Sequence, residues 1–285
     1  MDLRELRYFV AVAEELHFGR AATRLHMTQP PLSRAIKQLE TDLGCVLLQR
    51  SPSGVALTPA GASLYDEALT LLAQADQART RVAAAAGTAT ITIGTLANSA
   101  EEVGTSLAAA FRKHHPSVHV HIREADLTDP TIGLRAGLVD VALTRTPFDT
   151  TGITTQVLRT DPVGVVLRAD DPLAGRESLR LQDLDDRPWF RFPEGTDPIW
   201  QAYWSGGQPR DGLIVRTVHE CIQAVLWNGT VGLTTLGHPL PEGLTAVALA
   251  DMAPSSLVVA WTGTNPGPLI HSFARVAAAT YSSRS

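Results

Sequence analysis

The stretch TQPPLSRAIKQLETDLG, residues 28–44, decides the reading of this chain. Thr28 is placed to cap a helix, and Pro30 and Pro31 fall in its first turn, where a missing N–H costs little. Gly44 supplies the C-terminal stop. On a wheel of about 100° per residue, Leu32, Ile36, Leu39 and Leu43 share a narrow arc that faces a core. Pro30, Ser33, Arg34, Lys37 and Thr41 take the opposite side, with Glu40 on the flank. A solvated helix normally carries many carboxylates outward, whereas this one offers hydroxyls, an arginine and a lysine. Such a set can donate to phosphates and to guanine O6/N7 in a major groove. An ordinary amphipathic helix is the competing reading, and this helix alone leaves both open.

Upstream, Leu3, Leu6, Val10 and Ala13 recur on one helical face. Gly19 opens a short segment, RAATRL, with Ala21, Ala22 and Leu25 inward, and His26-Met27 makes a tight connection. Helix, short helix, turn and helix within about 45 residues is the helix-turn-helix pattern. Downstream, Val46-Leu47-Leu48 and Val55-Ala56-Leu57 read as two short strands around Gln49–Gly54. This is a wing whose tip carries Arg50 and small hydroxyl residues suited to phosphate or minor-groove contact. Thr58-Pro59 then starts a long helix. In it Leu64, Ala68, Leu71, Ala75, Ala78, Val82 and Ala85 alternate spacings of 4 and 3, a coiled-coil seam. A helix packed on its own chain is the alternative, but so thin a stripe favours a partner helix.

Taken together, LRELRYFVAVAEELHFGRAATRLHMTQPPLSRAIKQLETDLGCVLLQR and VALTPAGASLYDEA resemble the LysR-type transcriptional regulators almost throughout. The joined string TQPPLSRAIKQLE, then LG, Arg50 and LTPAG carries the resemblance. It implies that Thr28, Gln29, Pro30, Ser33, Arg34 and Lys37 meet double-stranded DNA, supported by Arg50 and Ser53 from the wing. Leu48 stands where the family usually has phenylalanine, and Gly19 where a serine or threonine often caps the second helix. Both departures touch packing or capping more than chemistry. Residues 1–88 carry nine basic and nine acidic side chains, so binding has to rest on placement. Two such modules joined by the long helix gain avidity, which makes a homodimer or homotetramer functionally necessary.

Beyond a hinge at AGTAT (86–90), Thr90–Ile93 alternates as a strand. A loop at Thr95–Ser99 follows, then a helix lined by Val103, Leu107 and Phe111, and a strand with Val118, Val120 and Ile122. Leu134 and Leu138 suggest a short helix before the strand in VDVALTRTP. This alternation predicts a parallel sheet with right-handed crossovers. A second set begins with the strand Val163–Leu167. It continues with a helical turn at Asp183-Leu184, extended segments at 188–190 and 213–215, a helix at 218–228 stopped by Gly229, and a strand from Gly232. The set closes with a strand at Leu257–Ala260, before a terminal helix at 268–282. Two α/β units around a ligand, or one large sheet, both fit this periodicity.

DPLA (171–174) and NGTVGL (228–233) are similar to the sensor half of LysR-type regulators, which resembles a periplasmic binding protein. The resemblance thus implies an α/β multidomain chain. A winged helix-turn-helix occupies 1–58, a linker and dimerisation helix 59–87, and an effector-binding domain 88–285. Its subdomain I covers 90–161 and 267–285, and subdomain II covers 162–266. In that fold, effector contacts come from strand ends and helix starts. Here these are Asn98, Ser99, Thr128, Arg145, Pro193, Glu194 and His219. Asn98 and Ser99 can offer backbone N–H groups to an anion, and Arg145 can grip a carboxylate bidentately. Glu194 and His219 depart from the small neutral residues that a simple carboxylate calls for.

Composition narrows the remaining choices. With 285 residues, 44% hydrophobic and 19% charged, the chain suits two domains, and its net charge of −5 gives no overall basicity. Cys45 and Cys221 form no metal or disulfide spacing, and Cys221 is expected to be a buried thiol on a helix. His119 and His121 alternate with Val118, Val120 and Ile122 and are expected on the solvated face of a strand, so no metal and no cofactor is expected. MDLRELRYFV has no apolar h-region, so a cytoplasmic protein is expected. No GxSxG, P-loop or HExxH string occurs, which argues against an enzyme fused to a DNA-binding module. A plain solute-binding protein is disfavoured by the first ninety residues. The expected function is effector-controlled regulation of transcription, with RNA polymerase as a further partner.

Overall fold

Asp2 accepts the Glu5 N–H at 2.8 Å and Glu5 returns the bond at 2.8 Å, a capping box that starts α1 (Leu3–Glu15). The computed structural model describes residues 1–25, 27–51, 54–85, 89–96, 100–263 and 267–282. Two compact units divide the chain, Met1–Ala83 and Ala84–Ser285.

In the first unit, α2 (Phe18–Arg24) begins one residue before the glycine expected to open it. His17 is the cap: its Nδ1 accepts the N–H groups of Gly19 at 3.0 Å and Arg20 at 3.2 Å. A Cβ on Gly19 would lie 2.9 Å from that imidazole, so the ring occupies the space of the absent side chain. The third helix, α3 (Gln29–Leu43), buries Leu32, Ile36 and Leu39 against Phe9 and Val12 of α1 and against Phe18. Leu43, expected in the same arc, is exposed; Leu47 and Leu48 close this core instead, after the chain turns at Gly44.

The wing pairs β1 (Leu48–Ser51) with β2 (Gly54–Leu57) antiparallel, Leu48 opposite Leu57 and Arg50 opposite Val55. The last helix of this unit, α4 (Pro59–Ala85), is anchored to the wing by Thr58. Thr58 Oγ1 donates to the Val46 carbonyl at 2.7 Å and accepts the Gly61 N–H at 3.0 Å. Gly61 is required by close approach, since a Cβ there would stand 2.0 Å from the Leu47 carbonyl oxygen. Along α4, Leu64 and Ala68 pack on Leu6 and Val10 of α1, so the chain itself covers the start of the heptad seam. Farther along, Leu71 is 37% and Val82 71% exposed in the single chain.

The second unit holds two sheets. The first runs in the order β4–β3–β5–β11–β6, built from β3 (Thr90–Leu96), β4 (His119–Ala125), β5 (Val141–Arg145), β6 (Ile153–Asp161) and β11 (Ser255–Thr262). Its β4, β3 and β5 are parallel, as the strand–helix alternation predicts, while β11 runs antiparallel between β5 and β6. The second sheet runs β8–β10–β7–β9, from β7 (Val163–Arg168), β8 (Ser178–Leu179), β9 (Gly232–Thr235) and β10 (Leu244–Leu249). Helix α5 (Ala100–His114) and the terminal helix α8 (Pro268–Ser282) pack Leu107, Phe111 and Phe273 on one face of the first sheet. Short α6 (Pro198–Trp204) shares a buried cluster with Leu96, Ala142 and Val258 of the first sheet, while longer α7 (Val218–Asn228) packs Val225 against Val166 of the second; α7 is capped by Thr217 and stopped by Gly229 at φ 62°.

Three expectations change. Residues 131–138 form turns held by Asp129, which accepts the N–H groups of Thr131 and Gly133, in place of a short helix at Leu134 and Leu138. The extended segments at 188–190 and 213–215 make only single bridges, Trp189 to Val231 and Arg191 to Ile214. Strand β11, expected to close subdomain II within 162–266, sits in the first sheet, so the chain returns between β10 and β11. Its Val258 and Val259 are fully buried between β5 and β6, a place that suits an all-apolar run.

The Thr58–Gly61 junction generates a test. Gly61→Ala forces the Leu47 carbonyl aside and is expected to lower stability by about 1–3 kcal/mol, the usual range for overpacking. Urea unfolding followed by circular dichroism measures it.

Candidate functional site

Helix α3 carries two acids, and both are turned away from its outer face. Glu40 Oε1 accepts the N–H groups of Leu47 at 2.8 Å and Leu48 at 3.2 Å, stapling the helix to the wing. Asp42 takes the Gln38 amide at 2.8 Å and lies 3.4 Å from the amino group of Met1. Thr28 caps the helix with extended backbone but makes no side-chain capping bond, leaving its hydroxyl uncommitted. Gln29, Pro30, Arg34 and Lys37 are exposed and Ser33 half-buried. Neither Arg34 nor Lys37 pairs with a carboxylate among the described residues. Arg20 and Arg24, one helix earlier, are by contrast held by Glu15 and Glu14. The sequence-expected residues Thr28, Gln29, Pro30, Ser33, Arg34 and Lys37 therefore share one unpartnered surface. Arg50 stands on β1 opposite Val55, and Ser53 lies outside the described residues.

In the second unit a cavity of about 150 Å³ opens where the ends of β3 and β5 face the second sheet. Leu96, Leu127 and Arg145 come from the first sheet and its loops. Phe190 and Phe192, Trp200 and Trp204 of α6, and Val218, Cys221 and Ile222 of α7 form much of the rest, with Gly232–Thr235 of β9. The aromatic walls interlock: Phe190 meets Phe192 edge-on at 6.0 Å between centroids, and Trp200 meets Trp204 at 5.3 Å. Gly232 lets Phe190 sit there, since a Cβ would fall 2.4 Å from its ring.

The chemistry of these walls is mostly apolar. Arg145 supplies a guanidinium, but its Nη1 donates to Asp161 at 2.8 Å, and both side chains are nearly buried. Arg159 holds the other carboxylate oxygen of Asp161 at 2.7 Å. Asp161 stands where the chain leaves the first sheet for the second, so the ion pair ties the end of β5 to that crossover. Burial pushes the Cys221 thiol up to about 12, with Glu220 adding to the shift. Burial likewise raises the Tyr203 phenol to about 12, against the pull of Arg145.

Two family descriptions match this chain. Residues 3–62 match the bacterial regulatory helix-turn-helix proteins of the lysR family, and residues 84–281 match the LysR substrate binding domain. The chain belongs to the LysR family. The transcriptional regulator AlsR of Bacillus subtilis is 36% identical over 190 residues, which is 66% of this chain and 63% of that relative. The regulator BudR of Raoultella terrigena is 34% identical across 88% of each chain. Among solved structures, full-length BenM aligns with a TM-score of 0.56 and 27% identity over 100% of this chain and 98% of its own. Full-length OxyR from Pseudomonas aeruginosa aligns at 0.53 and 27% over 99% of each. The relatives carry names of transcriptional regulators rather than enzymes, against the fused-enzyme alternative. No helix among the described residues is long and apolar enough to cross a membrane.

In this LysR chain, Arg145 alone of the described effector residues expected from strand ends and helix starts lines the cavity. Its guanidinium is engaged by Asp161 rather than open for a bidentate grip. Thr128 donates its hydroxyl and N–H to Asp126, closing a local turn. Pro193 is buried with its carbonyl accepting from Thr196, while Glu194 and His219 are exposed away from the walls. Asn98 and Ser99 lie outside the described residues. Cys221 is on a helix as expected, but at the cavity wall rather than deep in a core. Missed by the sequence reading were Phe190, Phe192, Trp200 and Trp204. The signal was present: with Trp189 and Tyr203 they crowd residues 189–204, the densest aromatic stretch of the chain.

Two outcomes are expected. Asp161→Ala removes the carboxylate that holds Arg145 in the interior and costs about 3–5 kcal/mol, read by urea unfolding. With a disulfide reagent at neutral pH, exposed Cys45 reacts at once, while Cys221 reacts only as the protein unfolds.

Proposed function

We propose that this protein binds double-stranded DNA through α3 and the wing, and that a small molecule in the second unit controls that binding and the transcription it governs. The observation that carries the reading is the outer face of α3. Its two acids are drawn off to the wing and the amino terminus, while Arg34 and Lys37 have no carboxylate partner among the described residues. A helix so arranged can set donors on phosphates and guanine edges without a repelling charge. The exposed continuation of the α4 seam, Leu71 and Val82, supports assembly into a homodimer or homotetramer through residues 59–87. Paired reading heads supply the avidity that one neutral module lacks. The effector biases the equilibrium between assemblies that space the two heads differently, in the cytoplasm and with RNA polymerase as the partner acted upon.

Ser33→Ala combined with Arg34→Ala, assayed by gel shift on promoter DNA, is expected to abolish the specific complex while circular dichroism stays unchanged. Lys37→Ala alone should weaken binding on all sequences and reduce the salt slope by about 0.9. A double variant that shifts DNA as well as the parent overturns the assignment of the reading face.

A further inference from the structure

We infer that Tyr65 is a positioning residue for DNA binding: through Glu14 it fixes the tilt of α4 against the reading head, and so sets which half-site spacing a pair of heads accepts. This rests on the reading of the protein as an assembly joined through α4, and it names the residue that makes that assembly selective. The Tyr65 hydroxyl donates to Glu14 Oε1 at 3.3 Å, bridging α4 to the last turn of α1. The other oxygen of Glu14 is held by Arg24 of α2. Arg24 also lies 3.5 Å from Glu15, and Glu15 stands 3.4 Å from Arg20 near the start of α2. Three helices of the first unit thus meet on one exposed chain of polar contacts. Solvent screens such a chain, so it adds little to stability. What it supplies is direction.

Direction matters because the rest of the α4 contact lacks it. Leu64, Ala68, Leu69 and Leu72 pack with Leu6 and Val10 of α1, and apolar burial is non-directional, so this patch resists separation more than it resists tilting. Thr58 pins only the first turn, through its bonds to the Val46 carbonyl and the Gly61 N–H. Tyr65 supplies a second fixed point about 10 Å farther along the helix, at about 1.5 Å per residue. The helix continues to Ala85, about 40 Å from Thr58. Freeing the second point by about 1 Å therefore moves the far end by about 4 Å, close to the rise of one base pair, about 3.4 Å. The exposed seam residues Leu71 and Val82 lie on that swinging length. Heads whose α4 helices stay joined there have to shift along the duplex by a similar distance.

The experiment uses the full-length protein and a duplex that it selects from a random-sequence pool, carrying two half-sites, with versions that gain or lose one base pair between them. Affinity is followed by fluorescence anisotropy, and the readout is the ratio of the affinity for the selected spacing to that for a shifted one. Changes common to all three duplexes, such as Arg24 released to a phosphate, cancel in that ratio. Tyr65→Phe keeps the ring against the Leu6–Val10 cluster and removes only the hydroxyl. It should cut the ratio by about two- to tenfold, the fold-change of one hydrogen bond, with the melting temperature unmoved. Glu14→Ala should lower the ratio equally, and the double variant should fall no further than either single one. A side chain with a merely structural role would lower the melting temperature and leave the ratio alone. An unchanged ratio in Tyr65→Phe, or losses that multiply in the double variant, overturns the inference. A selected duplex with a single half-site, or a parent with equal affinity for all three duplexes, overturns the paired heads as well. A pool that yields no duplex overturns DNA binding itself.

Discussion

Glu40 accepting the N–H groups of Leu47 and Leu48 is the contact on which the DNA-facing half of this molecule depends. A carboxylate on a helix proposed to approach phosphates is a liability, and folding disposes of it by spending it on two backbone donors at the entry to the wing. The same bond fixes the wing against α3, so the removal of a carboxylate from the outer face and the placement of the wing come from one interaction. Thr58 and Gly61 continue the device by locking the exit of the wing to the start of α4.

The same accounting of polar groups organises the second unit. Asp161 sits at the crossover between sheets and is satisfied by Arg145 and Arg159, so the chain passes from one sheet to the other through a neutralised joint. What stays unsatisfied is informative because so much else is paired. The outer donors of α3 face solvent with no partner among the described residues, while the indole N–H groups of Trp200 and Trp204 are buried with none. A bound effector and bound DNA can be coupled only through differential affinity for two states of the protein.

Much of the first unit was legible in the sequence because its determinants are local. Capping residues, the 3.6-residue period of α3 and the Thr-Pro-Ala-Gly junction each act within a few positions, and they predicted the helices and the wing. The errors there have local causes too: Leu43 follows the period but falls at the helix end, and His17 caps α2 from two residues before the expected start. In the second unit the parallel order of β3, β4 and β5 followed from alternation of strand and helix. The membership of β11 did not, because an apolar run fits either sheet until its neighbours are known.

Sequence alone determined the helix-turn-helix, its wing, the donor-rich side of α3 and the two-part organisation of the chain, since each rests on spacing, capping or short-range chemistry. Tertiary structure alone decided that Arg145 is held by Asp161, sixteen residues away. It also decided that Thr128 closes its own turn and that aromatic residues from a loop and α6 meet residues of α7 and both sheets around one cavity. Those outcomes depend on which buried group lies nearest which other once the sheets have packed, and no local pattern encodes that distance.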